Sequence, residues 1–315
     1  MSAHQPAAAI RAWLEQYNQK LKALQAEGFV MTPATTRDGL ARLTASMTRE
    51  IPAVPQIIDS HSAGDSGVAV RLYHPAPEKA LPVLIYCHGG GHMAGSVEVY
   101  DPICRKLALA SRHIVISIDY RLAPEHPYPA GLQDASAVIW QYREILRANG
   151  LRFDDRLSVG GDSGGGAMCA SLVHALRHEH DIDIANQVLI YPSLDYSMRL
   201  PSVSENGQGY FLHSERMAWL FDQYFQNGED RMAASPLYMP LDGKLPRSLV
   251  ITAGFCPLRD EGMAYVERLC KVGVNVEHRH FDDMIHAFLN MEDIAHEACR
   301  QVYRVIGDFL DPGRD

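Results

Sequence analysis

Val159-Gly-Gly-Asp-Ser-Gly-Gly-Gly166 is the stretch whose reading decides the fold of this chain. Within it, Gly161-Asp-Ser-Gly-Gly165 fits the G-x-S-x-G pattern, in which a strand turns sharply into a helix and leaves a serine hydroxyl exposed at the top of a sheet. The flanks agree with that geometry. Leu157-Ser-Val159 ends a short apolar run, and residues 167–177 carry apolar side chains at helical spacing. Glycines on both sides of Ser163 let helix and strand approach closely. Ser163 is the candidate nucleophile, although G-x-S-x-G alone is a weak pattern that other glycine-rich turns also produce.

A second stretch supplies what an acyl-transfer site needs. The apolar run Leu81-Pro-Val-Leu-Ile-Tyr-Cys87 ends in His88-Gly-Gly-Gly91. Attack on an ester carbonyl creates an oxyanion, and fixed backbone N–H groups aimed at it are often the largest catalytic term. Gly89 and Gly90 are the expected donors from this loop, with the N–H of Gly164, directly after the nucleophile, as the third. The plainer readings are a flexible loop or a phosphate cradle. A phosphate cradle would end in Gly-Lys-Ser/Thr, which this loop lacks.

Two further blocks complete a set: Asp119-Tyr-Arg-Leu-Ala-Pro-Glu-His-Pro-Tyr-Pro-Ala130, and Pro257-Leu-Arg-Asp-Glu-Gly262 followed by Met284-Ile-His286. In order and separation the four blocks resemble the hormone-sensitive-lipase-like (bacterial family IV) branch of the α/β-hydrolase esterases, across residues 50–290. The resemblance implies a general base on a loop after the last strand, and His286 occupies that position. An imidazole suits the role because its ordinary pKa lies near neutrality. Most of the other histidines, His178, His180, His278 and His280 among them, read as surface or satisfied core residues. None sits in a recognised zinc spacing, so neither a catalytic metal nor another cofactor is expected.

The chain departs from the family pattern where the catalytic acid belongs: Cys256 stands immediately before Pro257, in place of the family's Asp. That carboxylate would hold the imidazole tautomer, and in serine proteases its replacement by an amide costs roughly ten-thousand-fold in turnover. Three arrangements stay open: a triad rewired through Asp260, Asp282 or Asp283, a weakened Ser163–His286 dyad, and an inactive binder. In the family the residue matching Asp260 reads more readily as a helix cap. Gly164 stands where relatives usually have Ala. His92 and Met93 follow the glycine run as candidates for the acyl or alcohol pocket.

Composition agrees with a soluble catalytic domain. The chain has 315 residues, 47% of them apolar, and a formal net charge of −9 with no Lys/Arg run, which argues against a nucleic acid or an anionic membrane as partner. No apolar run reaches the eighteen or so residues that span a bilayer. Residues 1–10 lack a basic region followed by an apolar stretch, so no signal peptide is read there. Six cysteines at irregular spacing form no disulfide or zinc pattern, and a reducing cytoplasm is the expected setting.

Strand candidates at residues 56–60, 68–73, 83–87, 114–119, 157–159, 188–191, 249–252 and 276–280 alternate, from the third onward, with helical segments. That alternation predicts an α/β fold, a mostly parallel eight-stranded sheet with helices on both faces and an antiparallel edge from the first two strands. Ligands in such sheets bind at the carboxyl ends of the strands. One domain, 1–315, is expected. Ile10, Trp13, Leu14, Tyr17, Leu21 and Leu24 mark an amphipathic first helix. The resemblance implies a cap made by about residues 1–45 and an insertion at about 198–230, whose Tyr210 and Phe211 are candidate substrate contacts. The last strand is a candidate edge for a homodimer. These readings converge on a hydrolase of small carboxylic esters with short to medium acyl chains, with a ligand-binding or regulatory protein on the same scaffold as the alternative.

Overall fold

The computed structural model describes residues 5–64, 67–311 and 313; residues 1–4, at the head of the stretch read for a leader, lie outside it. Two helices come first, α1 (Ala8–Ala26) and α2 (Pro33–Met47). α2 starts at Thr32, whose hydroxyl accepts from the Thr35 N–H while Thr35 returns the bond, with Pro33 in the first turn. Then come β1 (Gln56–His61), β2 (Ala69–His74), β3 (Leu81–Cys87), α3 (Asp101–Ser111), β4 (Ile114–Ile118), α4 (Ala130–Ala148), β5 (Phe153–Asp162) and α5 (Gly164–Leu176). The chain continues through β6 (Ile184–Ile190), the short α6 (Pro201–Glu205), α7 (Ser214–Tyr224), α8 (Arg231–Ala234), β7 (Arg247–Phe255), α9 (Arg259–Lys271), β8 (Val276–Ile285) and α10 (His296–Leu310).

The eight strands form one sheet in the order β1-β2-β4-β3-β5-β6-β7-β8. β1 and β2 pair antiparallel, β2 pairs antiparallel with β4, and all other pairs are parallel. All eight predicted strands are present. Those from β5 to β8 run longer than their apolar runs, because polar residues such as Asp162, Gln187, Ser248 and Arg279 join the ladder along the strands and at the outer edge. The apolar run Ile114-Val-Ile-Ser-Ile118 is buried throughout, as a strand covered on both faces must be. α3 and α10 cover one face, and α4, α5 and α9 the other.

The two segments expected to form a cap touch each other. Asn18 Nδ2 donates to the Gly209 carbonyl (3.0 Å), and the Phe211 ring lies 5.7 Å from Trp13 and 5.5 Å from Tyr17. Among the described residues no helix is long and apolar enough to cross a membrane.

The glycines of the elbow differ sharply in what they allow. A Cβ on Gly165 would lie 2.0 Å from the Cys87 carbonyl oxygen and 2.5 Å from that of His88, whereas one on Gly164 would lie 3.3 Å from its nearest neighbours on His92. Gly165→Ala is therefore expected to lower the thermal midpoint by several degrees or prevent folding, on the scale of about 1–3 kcal/mol for overpacking. Gly164→Ala needs a shift of only a few tenths of an ångström and is expected to melt close to the parent. Equal melting of the two variants would contradict this close-packed elbow.

Candidate active site

β5 runs directly into Ser163, which adopts φ 53° and ψ −120° before α5 begins. An L residue at positive φ is strained, and the surroundings hold it there. The Ser163 N–H donates to the Ile190 carbonyl (2.9 Å), while its carbonyl accepts from Ser193 (3.1 Å) and Ala167 (3.1 Å). Ser163 Oγ lies 3.0 Å from His286 Nε2. His286 comes directly after β8, and its buried ring meets Tyr191 edge-on at 5.0 Å.

The other ring nitrogen, Nδ1, is 3.1 Å from Cys256 Sγ, directly after β7. The same sulfur accepts from the Leu258 N–H (3.3 Å). Burial pushes the Cys256 thiol far above its ordinary pKa and pulls His286 down to about 3, with the Arg216 charge adding to the second effect. Thiol and imidazole are therefore both neutral. A carboxylate only accepts and so enforces Nδ1–H, leaving Nε2 to accept from Ser163. A thiol can also donate to Nδ1, which stabilises the opposite tautomer.

Asp260 is not the substitute acid. Its Oδ2 accepts from the Ser202 N–H at 2.9 Å and its Oδ1 pairs with Arg259 Nε at 2.8 Å, so it caps α6 and holds the start of α9. Asp282 is exposed and Asp283 half-buried on β8, and the hydrogen bonds of the His286 ring go to Ser163 and Cys256, not to either carboxylate.

In the glycine loop, the Gly89 N–H donates to Asp162 Oδ1 at 2.8 Å, which corrects the expectation that it points at an oxyanion. Tyr86 and Tyr100 donate to the same carboxylate at 2.9 and 3.0 Å. Burial still raises Asp162 to about 6 against the pull of these donors. The next residues, Gly90 (φ 122°) and Gly91 (φ 63°), turn their backbone into the cavity that also holds Ser163, Gly164 and His286. Their positive φ values are ones that glycine adopts without strain. The loop is clamped from outside. Arg37 of α2 donates to the carbonyls of Met93 (2.9 Å) and Ala123 (3.0 Å) and pairs with Glu125, and the Ala123 N–H donates to the His92 carbonyl (2.9 Å). His88 is structural, stacked between Tyr100 and Tyr120 and held neutral by burial, with a pKa of about 4.

Of the four expected substrate contacts, His92 and Phe211 line the cavity. His92 is itself buried, stacked on Tyr224 at 3.9 Å and bonded to the Tyr196 hydroxyl at 3.1 Å. Met93 does not reach the cavity, because the turn after His92 (φ 60°) sends its side chain into full burial. Tyr210 packs instead on Phe255 at 5.1 Å. The cavity has about 70 Å³ of free volume, and Thr36, Leu40, Leu212, Arg216, Met217 and Leu220 are among the residues that line it. The apolar spacing of Met217, Leu220, Phe221 and Tyr224 signals one helical face, but nothing in the sequence says that this face meets Ser163. Among the described residues no group of three or more His, Cys, Asp or Glu side chains is placed to hold a metal ion.

A strained serine at a strand-to-helix turn, facing a histidine at the carboxyl edge of this sheet, defines an α/β hydrolase. A family model described as alpha/beta hydrolase fold matches residues 84–290, and the chain belongs to that family, in its hormone-sensitive-lipase-like branch. It is similar to esterase LipI of Mycobacterium tuberculosis, with 33% identity over 90% of this chain and 91% of the relative. Its structure resembles that of the ester hydrolase EH1AB1 from the metagenome of Lake Arreo, bound to a bipyridine phosphonate derivative. The TM-score is 0.88 and the identity 34%, covering 98% of this chain and 99% of that one. The gibberellin receptor GID1A of Arabidopsis thaliana is also similar, at 32% identity over 67% of this chain and 64% of the receptor.

Removing the Asp162 carboxylate strands Gly89, Tyr86 and Tyr100. At about 1–3 kcal/mol for each buried donor left unpaired, Asp162→Ala is expected to lose about 3 kcal/mol or more in urea unfolding. A loss under about 1 kcal/mol would mean that the burial of Asp162 already offsets its bonds.

Proposed function

We propose that this carboxylic-ester hydrolase works through Ser163 as nucleophile and His286 as general base, with Cys256 in the place of the acid. The observation that carries the reading is the pair of contacts made by one imidazole, 3.0 Å to Ser163 Oγ and 3.1 Å to Cys256 Sγ. His286 Nε2 takes the Ser163 proton as Oγ attacks the ester carbonyl carbon. The amides of Gly90, Gly91 and Gly164 stabilise the oxyanion. Collapse of the tetrahedral species expels the alcohol, which receives the proton from His286, and water then hydrolyses the acyl-enzyme by the same steps in reverse order. α1, α2 and the segment at 198–230 form the cap of the one domain, and the small apolar cavity beneath them favours short acyl chains.

The imidazolium formed during attack faces a neutral thiol, where a carboxylate would stabilise it. Turnover of p-nitrophenyl acetate and butyrate is therefore expected to be slow in the parent, to fall to background in Ser163→Ala, and to rise several hundred-fold or more in Cys256→Asp. A second reading, a receptor on a hydrolase scaffold, is favoured by the same thiol and by the likeness to the gibberellin receptor. Absence of Ser163-dependent turnover in the parent and in Cys256→Asp would refute the hydrolytic mechanism and favour this second reading.

The pH profile gives an independent check. The acidic limb of kcat/KM reports the base in the free enzyme. Because burial and Arg216 hold His286 at about 3, its neutral form persists down to that pH, and the parent is expected to keep its relative kcat/KM to about pH 4. A carboxylate at position 256 favours the imidazolium and moves the limb upward by about 1–3 units. Identical limbs in parent and Cys256→Asp would refute the contact between residue 256 and the base.

A further inference from the structure

Arg216 is the cation that the hydrolytic reading leaves unused. Arg37, Arg71, Arg121, Arg247 and Arg259 each pair with a carboxylate. Among the described residues Arg216 pairs with none, although it lines the same cavity as Ser163 and His286. Its Nε is buried and has no acceptor. Neither Glu215 nor His213 bonds to it, and its charge is felt at both His213 and His286. The only acidic side chain lining the cavity among the described residues is Asp162, whose oxygens already accept from Tyr86, Tyr100 and Gly89.

The helix does not account for this placement either. Arg216 is the third residue of α7, in the turn where the helix dipole favours negative charge. Its neighbours on the cavity wall, Leu40, Leu212, Met217 and Leu220, are apolar. A covered Nε–H without an acceptor beside such a wall is costly. Arg216 is half-buried, and beside an apolar wall it attracts an anion more strongly than it would in bulk water. Its planar fork matches the two oxygens of a carboxylate.

We propose that Arg216 is a specificity-determining residue that binds a carboxylate on the substrate, so that the preferred esters are anionic: monoesters of short dicarboxylic acids or acylated short hydroxy acids. This rests on the reading of Ser163 and His286 as the hydrolytic pair. It also supplies a reason for a cation at the mouth of a site in a chain of net charge −9, whose overall field repels such substrates.

The test compares monoethyl succinate and 4-acetoxybutyrate, which carry the carboxylate on the acyl and the alcohol side, with the neutral esters ethyl pentanoate and pentyl acetate. At least one anionic ester is expected to exceed its neutral counterpart in kcat/KM by about ten-fold. That ratio is expected to fall roughly ten- to hundred-fold in Arg216→Met, with partial retention in Arg216→Lys. Preference for the neutral ester in both pairs, unmoved by Arg216→Met, would overturn the proposal.

Calorimetric titration of Ser163→Ala with monoethyl and diethyl succinate reads recognition without turnover, and so separates this inference from the hydrolytic one. If the parent hydrolyses no ester, p-nitrophenyl acetate included, the hydrolytic reading fails while the titration still decides. Tighter binding of the monoester, lost in the Ser163→Ala/Arg216→Met double variant, supports Arg216 as the anion contact. Equal binding of the two esters, or none, refutes it.

Discussion

The geometry of the site depends on one buried carboxylate. Asp162 ends β5, one residue before Ser163, and reaches across to the glycine loop, where it holds the Gly89 amide together with the hydroxyls of Tyr86 and Tyr100. The same side chain therefore fixes two loops that come from different strands. Because Gly89 is committed to it, the backbone bonds available to a ligand come one residue later, at Gly90 and Gly91. The close approach of Gly165 to the Cys87 and His88 carbonyls completes the arrangement. Helix α5 thus starts against the very strand end from which the glycine loop departs.

Around this rigid frame the electrostatics are unusual for a hydrolytic centre. A buried carboxylate next to the base normally fixes which imidazole nitrogen carries the proton and stabilises its protonated form. Here the sulfur is both a weak donor and a weak acceptor, and burial keeps it neutral. The charge of Arg216 acts on the ring and opposes its protonation. His286 Nε2 can therefore accept from Ser163 in one of the two tautomers that the thiol allows, and an imidazolium at this place would be poorly supported.

Much of this was legible in the sequence because it is local or strongly periodic. The elbow, the glycine loop, the eight strands and the amphipathic first helix each show in a short window of residues. What escaped depends on contacts between distant residues. Whether Gly89 or Gly91 keeps a free amide is decided by Asp162, 73 positions away from Gly89. Whether Asp260 meets the base is decided by its capping of Ser202. Met93 and Tyr210 were apolar candidates close to the correct positions, but one loop turn at His92 and the packing on Phe255 point them away. Arg216 gave no signal at all, since a lack of partners shows only once every neighbour is placed.

Arg37 ties this frame to the segments over the site. One guanidinium from α2 bonds the carbonyl after His92, the carbonyl of Ala123 and the carboxylate of Glu125. The helix that lines the cavity through Thr36 and Leu40 is thus pinned to the turn at His92, which lines it too. Moving α2 outward breaks all of these bonds together, so the helix and the turn behave as one mechanical part. On the other side the segment bearing Phe211 is tied to α1 by a single side-chain hydrogen bond, Asn18 to the Gly209 carbonyl, and by the rings of Trp13 and Tyr17.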